Sequence, residues 1–243
     1  MKLQGKTAIV TGGGTGAGLA IARSLASEGC QTVIGGRRQE KLDEAIAGES
    51  TAVPILGHVL DVADRESVAT FFAWAREQIG DVDILVNNAG INIVDRRMDV
   101  TTAENWDLVM GINATGAFNC FAEVLPAMRE RKDGLIVNIS SVAGKRASSL
   151  GGVAYSASKF AMTALGSTVG LEVADCGVRI TNIYPGEINT PILENRPVKV
   201  SDEHKQQILQ PEDIAAAVLM VACLPPRANV PELVIKPTSQ EYC

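Results

Sequence analysis

The chain has 243 residues, 46% of them apolar, with 28 acidic and 22 basic side chains and a formal net charge of −6. That length fits one α/β domain spanning 1–243, with enough apolar residues for a substantial core. The acidic balance argues against nucleic acid as a partner, because phosphate backbones select basic surfaces.

Strands and helices alternate along the chain. Residues 7–10 are a short apolar run ahead of the turn Thr11-Gly-Gly-Gly-Thr-Gly-Ala-Gly18, and 18–28 carry helical periodicity. Residues 31–34 predict a second strand, 41–47 a helix, 52–60 contain a third strand, and 67–78 an amphipathic helix. A fourth strand over 83–86 ends at Asn87-Asn-Ala-Gly90; 106–128 predict one long helix, 135–139 a fifth strand, 155–175 the next long helix and 179–183 a sixth strand. A capped helix over 211–224 and a short strand over 233–235 complete the pattern. Several strands are nearly continuous apolar runs, the mark of parallel strands buried on both faces. The expectation is a doubly wound parallel seven-stranded sheet flanked by helices. The long segment 185–207, with prolines at 185, 191 and 197, predicts an irregular functional loop, and 192–207 a mobile lid.

Cysteines stand at 30, 120, 176, 223 and 243 without a C-x-x-C pair, and the histidines are His58 and His204. That composition speaks against a zinc cluster, and no metal site is expected. Cys30, Cys120 and Cys223 read as small core hydrophobes. Cys243, the last residue, cannot open a prenylation box. Scattered cysteines and a strand at the N-terminus predict a cytoplasmic protein. The longest apolar helical stretch is read as 214–224, too short for a bilayer. The basic clusters Arg96-Arg97 and 129–132 read as solvated, since acidic residues flank both.

Chemistry concentrates in three places. Gly12, Gly14, Thr15, Gly16, Ala17 and Gly18 form a strand-to-helix turn where backbone amides and a helix N-terminus suit a pyrophosphate. Gly35-Gly36-Arg37-Arg38 follows the second strand. An acid there would bind the ribose hydroxyl of NAD; two guanidinium groups suit the extra phosphate of NADP. Asp61 and Val62 follow the third strand and are placed to meet adenine, with a helix N-cap as the plainer role for Asp61. Finally, Tyr155 and Lys159 are four residues apart on one helix face, where an ammonium favours the phenolate and makes Tyr155 a general acid/base. A serine from another element, Ser141 or as second choice Ser140, can hydrogen-bond the same substrate oxygen.

In this order the motifs resemble the short-chain dehydrogenase/reductase family over nearly the whole chain: 11–18, Asn87-Asn-Ala-Gly90, Asn113, Ser141, Tyr155-Ser-Ala-Ser-Lys159 and Pro185-Gly186-Glu-Ile-Asn-Thr190. The resemblance implies a Rossmann fold and an NADP(H)-dependent oxidoreductase acting on a small carbonyl or secondary alcohol. It implies an active site of Asn113, Ser141, Tyr155 and Lys159, in which Lys159 also binds the nicotinamide ribose and Asn113 helps hold a water. It places Asn88, Ala89 and Gly90 along the adenosine side, and Pro185, Gly186, Ile188 and Thr190 at the nicotinamide. It also implies a homodimer or homotetramer built through the helices of 106–128 and 155–175. Three features depart from the family. The Ser141–Tyr155 spacing is one residue longer than usual, Ala17 replaces a bulky aliphatic, and the C-terminal tail resembles the branch acting on small hydroxy acids. Arg146, Arg196, Lys199, His204 and Lys205 lie in or near the loops expected to roof the pocket and are candidates to meet an acidic substrate. A non-catalytic NADP sensor and a methyltransferase are the rival readings; the first should lose the tyrosine or lysine, and the second leaves Ser141, Tyr155 and Lys159 unexplained.

Overall fold

In the computed structural model, which describes residues 1–47 and 50–241, the strand β1 (Thr7–Thr11) is buried along its whole length. It lies at the centre of a sheet completed by β2 (Gln31–Gly36), β3 (Leu56–Val59), β4 (Ile84–Asn87), β5 (Gly134–Ile139), β6 (Val178–Pro185) and β7 (Glu232–Ile235). The order is β3-β2-β1-β4-β5-β6-β7, and every pairing is parallel. This is the seven-stranded, doubly wound sheet that the alternating pattern predicts. Chain order reverses between β1 and β4, where the carboxyl ends of the strands open the crevice used by ligands in such sheets.

Side chains alternate between two cores. Ala8, Val10, Ile34, Val86 and Val137 meet α1 (Gly16–Ser27), α2 (Gln39–Ile46) and α8 (Pro211–Ala222) through Ile21, Leu25, Leu42, Ile214 and Val218. On the other face Ile9, Val33, Leu85, Ile136 and Ile180 meet Phe71 and Phe72 of α3 (Arg65–Ile79). Cys120, Phe121 and Val124 of α5 (Gly116–Arg131) and Val169 of α6 (Val153–Glu172) extend that core. Each fully buried large side chain contributes ~1.5–3 kcal/mol, so the two cores hold the strand ends, and the loops on them, in register. Cys30 and Cys120 are buried within these cores and Cys223 packs against one of them, as read; burial pushes the Cys30 and Cys120 thiols up to about 12. Cys243 lies outside the described residues.

The long helix differs from the sequence reading. It runs through α4 (Ala103–Met110), a π-turn at Gly111–Thr115, and α5. Glycines 111 and 116 bracket the wide turn, and Gly116 presses against Val62 so closely that a Cβ would stand 2.5 Å from its Cγ2. The π-turn carries Asn113, in keeping with the tendency of such bulges to mark functional sites. The whole run, Ala103–Arg131, is also longer than 214–224, and by length and composition alone it could cross a bilayer. Half of its most apolar window is buried inside the fold, as in a core helix. Asp61 is not the cap of α3 either: Asp64 is, accepting from the Glu66 amide at 2.9 Å.

The segment 185–207 is more ordered than its prolines suggest. Glu187 and Asn189 bond to Leu209 at 3.1 and 2.8 Å, a 3₁₀ turn follows at Pro191–Asn195, and α7 (Asp202–Gln207) follows, capped by Ser201.

Candidate active site

A cavity of about 560 Å³ opens over the β1/β4 switch point, within the usual range for small-molecule sites. Its walls contain all but two of the predicted residues. Gly12, Gly14, Thr15, Gly16 and Ala17 line one end with Arg37, Arg38, Asp61 and Val62; Asn88, Ala89 and Gly90 line the middle. Ser141, Tyr155, Lys159, Pro185, Gly186, Ile188 and Thr190 line the other end.

Gly18 and Asn113 are the exceptions. Gly18 is a packing glycine: a Cβ there would meet the Gly12 carbonyl at 2.3 Å and the Asn88 amide at 2.4 Å. Gly12 has φ +64 and leaves no room for a Cβ against Ala89, so the turn stays close to the strand ends. Asn88 braces the same turn, donating from Nδ2 to the carbonyls of Thr11 and Gly12 at 3.0 and 3.2 Å. Its amide therefore shapes the turn rather than facing a ligand. Thr15 caps α1 with no side-chain hydrogen bond to the helix, so its hydroxyl and the adjacent helix N-terminus suit an anion. Arg37 and Arg38 are exposed at the end of β2 and enter no ion pair among the described residues. Lys41, which the sequence reading missed, stands on the same wall with its ammonium 2.5 Å from Glu44. A Gly-rich turn, and a hydroxyl and two guanidinium groups that are uncommitted among the described residues, fit a phosphorylated dinucleotide.

At the other end, Ser141 caps the 3₁₀ turn Val142–Gly144, accepting from the Ala143 amide at 3.1 Å, and it lines the cavity together with Tyr155. Ser140 points away: its Oγ is buried 3.2 Å from the Lys159 carbonyl and 3.1 Å from Thr163. The loop 145–152 between Ser141 and Tyr155 ends at Gly152 with φ +80, and α6 begins two residues earlier than expected. Lys159 is buried and donates from Nζ to the Ile139 carbonyl at 2.8 Å. Its ammonium stands 5.7 Å from the centroid of the Tyr155 ring, and burial pushes its pKa down to about 8.

The expected pairing of ammonium and phenol therefore takes another form. Burial raises the Tyr155 pKa, while the nearby Ser141 hydroxyl and the charge of Arg96 pull it back. Arg96 corrects a second expectation: it is 6% exposed, not solvated, and lines the cavity beside Tyr155. An arginine among acidic residues in a loop gave no sequence signal of burial. Among the five loop cations proposed to meet an acidic substrate, Arg196 alone lines the cavity. Arg196 and His204 both bond to Glu187, at 3.2 and 2.7 Å, and Lys205 pairs with Asp202.

Asn113 does not face the cavity. It is fully buried, accepts from the Ile91 amide at 2.8 Å and donates to the Ile91 carbonyl at 2.9 Å and to Ser158 at 3.0 Å. Its amide thus locks the strand-end loop to α6, with Oδ1 and the Lys159 ammonium each 3.4 Å from where a Cβ on Gly90 would be. Gln240 of the C-terminal segment also lines the cavity, its Oε1 accepting from the Glu187 amide at 3.1 Å; no motif marked it.

Sheet order, crevice and glycine turn define an α/β oxidoreductase of the Rossmann class. The family model for the short chain dehydrogenase matches residues 6–200, and the chain belongs to the short-chain dehydrogenase/reductase family. It is 36% identical to a farnesol dehydrogenase of Aedes aegypti over 247 aligned positions, covering 98% of each chain. Among solved structures it is similar to the closed form of a serine dehydrogenase complexed with NADP+ (TM-score 0.89, 29% identity, 97% and 96% of the two chains). It is also similar to an alcohol dehydrogenase of Thermococcus sibiricus complexed with 5-hydroxy-NADP (TM-score 0.87, 30% identity, 98% of each).

Proposed function

We propose that the chain is an NADP(H)-dependent oxidoreductase that interconverts a small carbonyl compound and its secondary alcohol within one domain. The observation that carries the reading is the one cavity shared by the glycine turn, Arg37 and Arg38 at one end and by Ser141, Tyr155 and Lys159 at the other. NADP-bound relatives of similar fold support the choice of cofactor. The bound cofactor supplies or accepts the hydride.

The chain's own residues do the rest. The first turn of α1 and Thr15 receive the pyrophosphate, and Arg37 and Arg38 receive the extra phosphate. In reduction Tyr155 donates its phenolic proton to the substrate oxygen, which Ser141 polarises through a hydrogen bond. The buried Lys159 ammonium helps carry the resulting phenolate and would hold the nicotinamide ribose of the bound cofactor. Asn113 acts through position: it fixes the loop at Ile91 against α6, so any water it holds must be reached through the main chain. In oxidation the proton moves the other way.

The non-catalytic sensor is disfavoured because Tyr155, Ser141 and Lys159 share one cavity wall. A homo-oligomer is supported by the apolar side chains left exposed on the long helices, Trp106, Leu108, Phe118, Phe160 and Leu171; the mass in solution tests it. The decisive experiment for the activity is a panel of ketones, aldehydes and alcohols followed at 340 nm with each nicotinamide cofactor. Absence of NADPH-linked turnover across the panel would end the reading.

A further inference from the structure

Arg96 is a buried cation that forms no ion pair among the described residues. Its guanidinium donates from Nε to the Ile93 carbonyl and from Nη1 to the Leu150 carbonyl, each at 2.9 Å, and from Nη2 to the Asn195 carbonyl. These carbonyls come from three loops around the mouth of the cavity. All three partners are neutral, and among the described residues the charged form is favoured by Tyr155. Arg196 makes matters worse, a second cation close enough to push the Arg96 pKa down along with burial. The carboxylate nearby, Glu187, is already engaged by Arg196 and His204, while Glu194 is exposed at the rim and pairs with neither arginine among the described residues. A charge taken out of water without an ionic partner is costly and persists where something else offsets it. A guanidinium has five N–H groups, so one remains on each terminal nitrogen.

We infer that Arg96 is a substrate-recognition residue and that the substrate carries a carboxylate close to the reacting carbon. The carboxylate takes the two remaining N–H groups of Arg96 and supplies the missing negative charge, while the carbonyl or hydroxyl lies at Tyr155 and Ser141. The three carbonyl bonds hold the guanidinium rigid for that contact. The Asn195 bond ties it to the segment 191–196, and Asn195 donates in turn to the Asn92 carbonyl at 3.0 Å. Seating the anion therefore also consolidates the roof of the cavity. The inference rests on the proposed activity for the position of the reacting group, but its test does not require turnover.

Binding of butyrate and of the neutral, isosteric butyramide is measured by calorimetry, with and without NADP+, for the wild type, Arg96→Gln and Arg96→Lys. The Gln variant retains amide donors for the loop carbonyls and removes the charge; the Lys variant retains the charge and removes the fork. The wild type should prefer butyrate by at least ~10-fold. Arg96→Gln should abolish the preference and Arg96→Lys should retain part of it. A wild type that does not prefer the acid, or an Arg96→Gln protein that still does, would overturn the inference. A loop clamp alone would weaken both ligands equally. In a parallel assay, kcat/KM for acetoacetate over its methyl ester should fall in Arg96→Gln; turnover of neither compound bears on the proposed activity, and the binding ratio alone decides the role of Arg96.

Discussion

The two ends of the cavity are built by opposite means. The cofactor end is made of backbone: glycines that admit no Cβ, a helix N-terminus, and an asparagine spent on bracing the turn. The substrate end is made of long side chains reaching across loops, with Arg96 joined to three of them and Arg196 and His204 sharing Glu187. Backbone features leave a mark in sequence because few residues tolerate them. Charge networks between loops leave none, because their partners are main-chain carbonyls that any residue provides. A shared frame with a specific substrate end follows from that contrast.

The comparison is broken most severely at Tyr155. Tyr155→Phe keeps the ring and removes the transferable proton, so turnover should fall by roughly two to four decades while NADPH affinity changes little. Near-normal turnover in steady-state assays would show that the substrate end works without it. At the cofactor end, replacing Arg37 and Arg38 together by alanine should lower the preference for NADP(H) over NAD(H) by roughly ten- to a hundredfold, the scale of a charge-assisted contact. The ratio of specificity constants measures this; a wild type that prefers NAD(H), or an unchanged ratio, speaks against phosphate recognition at this turn.

The buried ammonium sharpens the contrast through stability. Lys159 titrates at about 8 in the folded protein and near 10.4 when unfolded. The folded state is thus penalised while the lysine is charged, fully below pH 8, and the penalty disappears as pH rises towards the unfolded value. Lys159→Met should therefore be more stable than the wild type at pH 7 by ~1–2 kcal/mol after loss of the Ile139 hydrogen bond. That advantage should vanish by about pH 10. Chemical denaturation at the two pH values tests the sign; a variant less stable at pH 7 would contradict it. Tyr155, whose pKa burial raises, should behave likewise in kinetics: reduction uses the protonated phenol and should hold through neutral pH, while oxidation uses the phenolate and should increase into the alkaline range. Oxidation fastest at acid pH would be incompatible.

The smallest effect is expected in the roof. Pro191–Asn195 is tied down through Asn195, whereas exposed residues such as Val198 and Lys199 have no comparable anchor. Hydrogen exchange should show 197–207 protected only with NADP(H) and substrate present. Equal, strong protection in both states would remove the lid.

Much of this was legible beforehand for physical reasons. Short apolar runs marked all seven strands, and their alternation with helices implied a doubly wound parallel sheet. Fixed spacing placed Gly12, Tyr155 and Lys159 because a tight turn and a helix face allow little freedom. The π-turn at Asn113 was hidden, since its periodicity differs from that of an α-helix by a single residue. Arg96 read as solvated because burial of an arginine by main-chain carbonyls depends on loops distant in sequence. The choice of Ser141 over Ser140 depended on which way adjacent hydroxyls turn after β5, which spacing does not specify.

The most direct measurement follows the hydrogen itself. With NADPH deuterated at the transferring position of the nicotinamide and a carbonyl from the panel, deuterium should appear on the carbinol carbon of the product. The rate should fall at least ~100-fold in Tyr155→Phe. Carbonyl consumption without a carbon–deuterium bond, or the same rate without the phenolic hydroxyl, would contradict the account.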